Sequence, residues 1–196
     1  VGIPASITNR LQPAPADLEG HDLQGMIVAS PGNPSGTMLS YHALAALIDH
    51  CAGRDIKFIS DEIYHGLHYG DRATSALEIS DDVHVINSFS KYFSMTGWRL
   101  GWLVLPEALV APVERLAQNL FICASTIAQH AALACFHPES IAEYERRRAE
   151  FRARRDLVVP ALGKLGLTVP VMPDGAFYAW ADCSAHAASS WDFCFD

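Results

Sequence analysis

Positive charge is scarce in this chain of 196 residues: 14 Lys and Arg stand against 22 Asp and Glu, a formal net charge of −8. A nucleic-acid surface needs clustered positive charge to displace counterions, so that class of partner is excluded. No apolar run approaches the roughly 18 residues of a membrane span, and the first ten residues lack a basic start followed by an apolar core. Neither a span nor a signal peptide is expected. Cysteines are few and odd in number (Cys51, Cys123, Cys135, Cys183, Cys194) with no C-x-x-C spacing, which suits a reduced, cytoplasmic compartment. An initial Met is missing and residues 191–196 close part-way through an apolar pattern, so the chain reads as a fragment of a longer protein. With half its residues hydrophobic and 18% charged, it has the balance of a soluble globular protein with a buried core.

Residues 1–22, rich in Pro and polar groups, read as a surface lead-in. The apolar run 26–29 predicts a buried strand stopped by Ser30-Pro31-Gly32-Asn33-Pro34-Ser35-Gly36, a turn-rich loop. Ser40 stands where an N-cap would be, Leu44, Leu47, Ile48 and Cys51 follow at helical spacing, and Gly53 ends the run. Residues 56–59 predict a second strand, so strand, helix and strand form a right-handed βαβ unit with a parallel pair. A third strand is expected at 83–86 and a fourth at 100–105. The link between these two is too short for a crossover helix, which makes the fourth antiparallel. Leu109, Val113, Leu116, Leu120 and then Ile127, Ala131, Cys135 mark two helical faces. The stretch 139–165 predicts a long helix whose arginines alternate with Glu143, Glu145 and Glu150 on a solvated face. Residues 167–169 and 176–180 suggest strands of a second, incomplete α+β unit. The fold class is α/β, a mostly parallel sheet with flanking helices followed by that unit.

Ligands of open α/β sheets bind beyond the carboxyl ends of the parallel strands. There the sequence places Asn33, then Asp61 and Tyr64, then Ser88, Ser90 and Lys91; an antiparallel fourth strand brings Arg99 to the same edge. Arg with two hydroxyls suits a phosphate. A lysine in cationic company is a Schiff-base nucleophile, and a carboxylate across from it can hold a protonated ring nitrogen. Phosphate, aldehyde and ring nitrogen together describe pyridoxal phosphate.

Ser30-Pro31-Gly32-Asn33-Pro34-Ser35-Gly36-Thr37, Ser60-Asp61-Glu62-Ile63-Tyr64, Ser88-Phe89-Ser90-Lys91 and Thr96-Gly97-Trp98-Arg99-Leu100-Gly101 occur at spacings that resemble the class I/II, fold type I aminotransferases. Pro173-Asp174-Gly175-Ala176-Phe177-Tyr178 looks like that family's small-domain strand. The resemblance implies that residues 1–112 are the C-terminal part of the large, cofactor-binding domain, 113–156 the linking helices and 157–196 the start of the small domain. It implies that Lys91 is the lysine of the internal aldimine and the proton carrier, and that Asp61 keeps the pyridine nitrogen protonated. Asn33 and Tyr64 would hydrogen-bond the ring's phenolic oxygen, while Ser88, Ser90 and Arg99 would hold the phosphate. The implied reaction is amino transfer from an α-amino acid to a 2-oxo acid in a cytoplasmic homodimer. The family's ring-stacking aromatic and substrate-carboxylate arginine fall outside this chain.

Other readings of the same residues are weaker. The same motifs serve carbon–sulfur lyases and cofactor-binding regulatory modules. Ser88-Phe89-Ser90-Lys91 also matches the S-x-x-K of acyl-transferring serine enzymes, but no K-T-G follows. Glu62 and His65 form a single E-x-x-H, whereas a di-metal bundle needs two on long helices; no metal site is expected. Trp98 and Trp102 read as packing residues.

Overall fold

The computed structural model describes residues 1–195. Four strands, β1 (Gly25–Ala29), β2 (Lys57–Asp61), β3 (His84–Ser88) and β4 (Gly101–Val104), form one sheet in the order β1-β2-β3-β4. The first two pairs are parallel and the last is antiparallel, with Ser88 opposite Gly101 and Asn87 opposite Trp102. Gly101 is required by that register: a Cβ there would lie 2.7 Å from the Asn87 carbonyl oxygen.

α1 (Tyr41–Ala52) forms because Ser40 caps it, its hydroxyl accepting from Ala43 N–H at 3.2 Å, and because Leu44, Leu47, Ile48 and Cys51 recur on one face. That face packs on Met26, Val28, Phe58 and Val85 from alternate positions of three strands. Leu47 is wholly buried, and each such side chain contributes about 1.5–3 kcal/mol by leaving water. The opposite face of the sheet is open, with Ile27 68% and Leu103 50% exposed.

Beyond the sheet run α2 (Glu107–Leu120), α3 (Thr126–Leu133) and α4 (Pro138–Lys164), and α5 (Ser190–Phe195) ends the described chain. α4 carries the expected ion pairs, including Arg147 and Arg154 to the carboxylates four residues earlier, each at 2.8 Å. No helix among the described residues is long and apolar enough to cross a membrane, and no cysteine there forms a disulfide.

The expected strands at 167–169 and 176–180 are not formed. Only isolated bridges join Thr168 to Asp182 and His68 to Gly175. An extended segment becomes a strand only when a neighbour takes up its N–H and C=O groups in a ladder, and here each neighbour is met at a single bridge. Residues 173–176 are instead sewn to the loop after β1 and to the turn after β2. Asp174 and Gly175 N–H donate to the Gly36 carbonyl at 2.8 and 2.9 Å, and Ala176 N–H donates to the Leu67 carbonyl at 2.8 Å. Gly36 has φ +68° with Pro173 Cβ 2.7 Å from where its own Cβ would be, so only glycine fits this junction. The Asp174 carboxylate accepts from Arg10 at 2.7 Å and from Met38 N–H at 2.9 Å, tying the lead-in to the same place.

Tyr69 closes the junction, its hydroxyl donating to the Ala176 carbonyl while the Arg155 guanidinium lies 4.9 Å from its ring centre. Burial pushes its pKa up to about 12. The folded state therefore holds a proton that the unfolded chain gives up near pH 10. This contribution is complete below pH 10 and is lost as pH rises toward 12, at up to about 1.4 kcal/mol per pH unit. Urea midpoints measured between about pH 9 and 12 are expected to fall, and to fall less steeply in Tyr69→Phe; equal slopes would refute the assignment.

Candidate active site

The carboxyl ends of β1, β2 and β3 and the start of β4 lie along one edge of the sheet, and all seven residues singled out in the sequence follow or precede those ends. Asn33 is exposed in the loop after β1; Asp61 is the last residue of β2, half-buried, and accepts from Ile63 N–H at 3.1 Å. That bond turns the chain at once and buries Tyr64 beneath the edge.

Three of the seven meet at the Tyr64 hydroxyl. Burial, a hydrogen bond with the Tyr178 hydroxyl and the nearby Asp61 charge all push the Tyr64 pKa upward, and a hydrogen bond from the Asn33 side chain opposes the rise. Tyr64 is thus held as a neutral phenol with a proton to donate. The Lys91 ammonium lies 5.6 Å from the Tyr64 ring centre and 5.6 Å from that of Phe177, within cation–π range of both. Phe177 in turn stands edge-on to Tyr64, with ring centres 5.6 Å apart.

The hydroxyls form a second group. Ser88 Oγ lies 2.9 Å from Ser90 Oγ and 3.1 Å from the Leu100 carbonyl oxygen, and accepts from Ser90 N–H at 3.0 Å. Thr96 Oγ1 donates to the Ser90 carbonyl at 2.5 Å, which pins the turn leading into β4. Arg99 ends that turn in the left-handed conformation, φ 54° and ψ 52°, at a cost of about 1–2 kcal/mol for a non-glycine residue. Its exposed guanidinium donates to the Thr96 carbonyl at 3.0 Å and makes no direct hydrogen bond to Ser88 or Ser90 among the described residues.

Sequence reasoning missed Tyr178 and Phe177 as members of this site. The Gly175-Ala176-Phe177-Tyr178 run was read only as a strand, and its alternation says nothing of a partner 114 residues away. A cavity of about 610 Å³ adjoins the edge, lined by Asn33, Ser35, Trp180 and the open face of β1, but Lys91 and Asp61 do not line it.

An amine, a carboxylate, a neutral phenol with its amide partner, and a hydroxyl pair beside an arginine are the donor set that a phosphorylated pyridine aldehyde requires, and they stand on one edge. The comparisons agree with that chemistry. The family model described as aminotransferase class I and II matches residues 5–192. A valine–pyruvate aminotransferase from Mycobacterium tuberculosis is 41% identical over 99% of this chain and 51% of its own length. Aspartate aminotransferase from Thermus thermophilus, solved with maleate, superposes with a TM-score of 0.91 at 30% identity, over 98% of this chain and 52% of that one. A Silicibacter pomeroyi structure described provisionally as an aminotransferase gives a TM-score of 0.91 at 50% identity, over 98% and 52% of the two chains. This chain spans about half the length of the curated relatives it matches. With the family model covering all but the extreme ends, and the four motifs on one sheet edge, the chain belongs to the aminotransferases of class I and II.

Proposed function

We propose that this chain is the lysine-bearing part of a pyridoxal phosphate-dependent aminotransferase that moves an amino group from an α-amino acid to a 2-oxo acid. The observation that carries the reading is the convergence of Asn33, Asp61 and Lys91 on Tyr64, beside the Ser88–Ser90 pair. When bound, the cofactor supplies an aldehyde carbon that takes the amine and a pyridinium ring that withdraws the electrons left when the amino acid loses its α-proton.

The chain's residues do the rest. Lys91 would hold the cofactor through its aldehyde carbon, with loss of water, and its Nζ, once freed by the substrate amine, would carry the α-proton. Asp61 would hold the proton on the ring nitrogen. Tyr64 and Asn33 would donate to the phenolic oxygen, for which the raised Tyr64 pKa keeps a proton available. Ser88, Ser90 and Arg99 would take the phosphate.

The named relatives, a valine–pyruvate and an aspartate aminotransferase, favour amino transfer over the carbon–sulfur lyase reading. Under this proposal residues 1–112 belong to the large domain, 113–156 link the domains and 157–196 begin the small domain. Under the same proposal the full-length protein is a cytoplasmic homodimer.

The test uses the sequence's own economy, since Lys57, Lys91 and Lys164 are its three lysines. After incubation with pyridoxal phosphate at substoichiometric ratio and reduction with borohydride, peptide mass spectrometry is expected to find the pyridoxyl group on Lys91. Equal labelling of all three would overturn an organised site in this chain. In the full-length protein, 2-oxo-acid-dependent amino transfer is expected, and release of pyruvate and ammonia would favour the lyase instead.

A further inference from the structure

Among the described residues no three His, Cys, Asp or Glu side chains cluster as metal ligands around the E-x-x-H pair, Glu62 and His65. The pair has another geometry. Glu62 is 4% exposed, and its Oε1 accepts from Ala76 N–H at 2.8 Å, Ser75 Oγ at 3.0 Å and Ser60 Oγ at 3.2 Å. A carboxylate so supplied with donors is a fixed anchor. Its Oε2 faces His65 Nδ1 at 3.4 Å, and the other ring nitrogen, Nε2, lies 3.0 Å from the Ser30 carbonyl oxygen. Both neighbours only accept, and of the two contacts the one from Nε2 to Ser30 is the shorter and is at hydrogen-bond distance.

The two ends of this link matter because of what adjoins them. Ser30 is the first residue after β1 and roots the loop that carries Asn33; Glu62 lies between Asp61 and Tyr64. The direct backbone tie between the same segments, Ser30 N–H to the Asp61 carbonyl, is 3.4 Å, at the long limit for such a bond. The loop's other backbone supports include Gly32 N–H on the Thr37 carbonyl at 2.9 Å, Leu39 N–H on Ser30 Oγ at 2.9 Å, and the Gly36 carbonyl under Asp174 and Gly175 N–H. None of these reaches β2.

We propose that His65 is a positioning residue: seated against Glu62, it donates Nε2–H to the Ser30 carbonyl and so fixes Asn33 relative to Asp61 and Tyr64. The proposal rests on the reading of those three residues as cofactor contacts. The charges around the ring are mixed. Burial and Arg72 favour the neutral ring; Glu62, the Ser30 carbonyl and Glu78 favour the charged one. Burial is the largest influence and lowers the pKa. A neutral ring with one hydrogen is what a directional tie needs.

The test compares wild type with His65→Leu, which removes the donor, and His65→Gln, whose amide N–H reaches the place of Nε2. In isotope-labelled chain at about pH 8, nitrogen shifts are expected to show a hydrogen on His65 Nε2 and none on Nδ1. In His65→Leu the Asn33 side-chain amide signals are expected to move, and pyridoxal phosphate affinity to fall roughly three- to tenfold, as for one lost neutral hydrogen bond. His65→Gln is expected to restore the Asn33 signals and bring affinity to within about twofold of wild type. The proposal is overturned by a hydrogen on Nδ1, by Asn33 signals unmoved in His65→Leu, or by equal losses in both variants. If His65→Leu does not fold, the tautomer and His65→Gln still decide. A wild-type chain that fails to take the cofactor defeats the functional reading, while the Asn33 signals continue to report on the tie.

Discussion

Lys91→Ala in the full-length protein is expected to lower amino transfer by roughly four orders of magnitude, about 5.5 kcal/mol in transition-state stabilisation. Under the proposed function two roles leave with one side chain: the amine that would bond the cofactor aldehyde, and the base that would carry the α-proton. The neighbouring residues cannot replace it. Tyr64 is held neutral by burial and by Tyr178, and Asp61 would be committed to the ring nitrogen. Lys91→Arg keeps a positive charge within reach of the Tyr64 and Phe177 rings but not a nucleophile, and is expected to be as inactive as the alanine variant. Cofactor affinity measured by equilibrium dialysis should fall far less than rate, because Ser88, Ser90, Arg99 and Asp61 remain. Steady-state transfer within tenfold of wild type in either variant would remove Lys91 from the chemistry.

The sheet was legible because each strand ends in its own punctuation. Ser30-Pro31-Gly32 stops β1, Asp61 turns the chain after β2, and the short link from Ser88 to Arg99 leaves no room for a crossover, so β4 had to run antiparallel. α1 was legible from Ser40 and the Leu44, Leu47, Ile48, Cys51 stripe for the same reason: the signals are local. What failed was pairing. Residues 176–180 have an apolar alternation suited to a strand, but a ladder depends on a neighbour that local sequence does not name, and the segment instead delivers Phe177 and Tyr178 to Lys91 and Tyr64. The contact of His65 was illegible in the same way. Its spacing from Glu62 is visible in the sequence, whereas its bond to Ser30 spans 35 residues and exists only once β1 and β2 lie side by side.

Asp61→Asn should produce the second large loss, and its pattern would differ from that of Lys91. The amide has nearly the shape of the carboxylate and can still accept from Ile63 N–H, which Asp61 holds at 3.1 Å, so the turn that buries Tyr64 should survive. What disappears is the negative charge that, under the proposed function, would keep a proton on the pyridine nitrogen. An ion pair at about 4 Å is worth roughly 4 kcal/mol at an effective dielectric of 20, which corresponds to about a thousandfold in rate if it is needed in full at the transition state. Lys91 would still bond the cofactor, so borohydride labelling of Lys91 in Asp61→Asn should persist while transfer collapses. Loss of both together would mean that Asp61 builds the site rather than tunes the ring. A change of less than tenfold in transfer, with labelling intact, would mean that the ring nitrogen needs no carboxylate here. The Asp61 charge also raises the Tyr64 pKa, so the variant should lower it, and a spectrophotometric titration of the cofactor-free chain would detect a phenol ionising earlier than in wild type. That titration reads the same carboxylate through a second neighbour and does not depend on turnover.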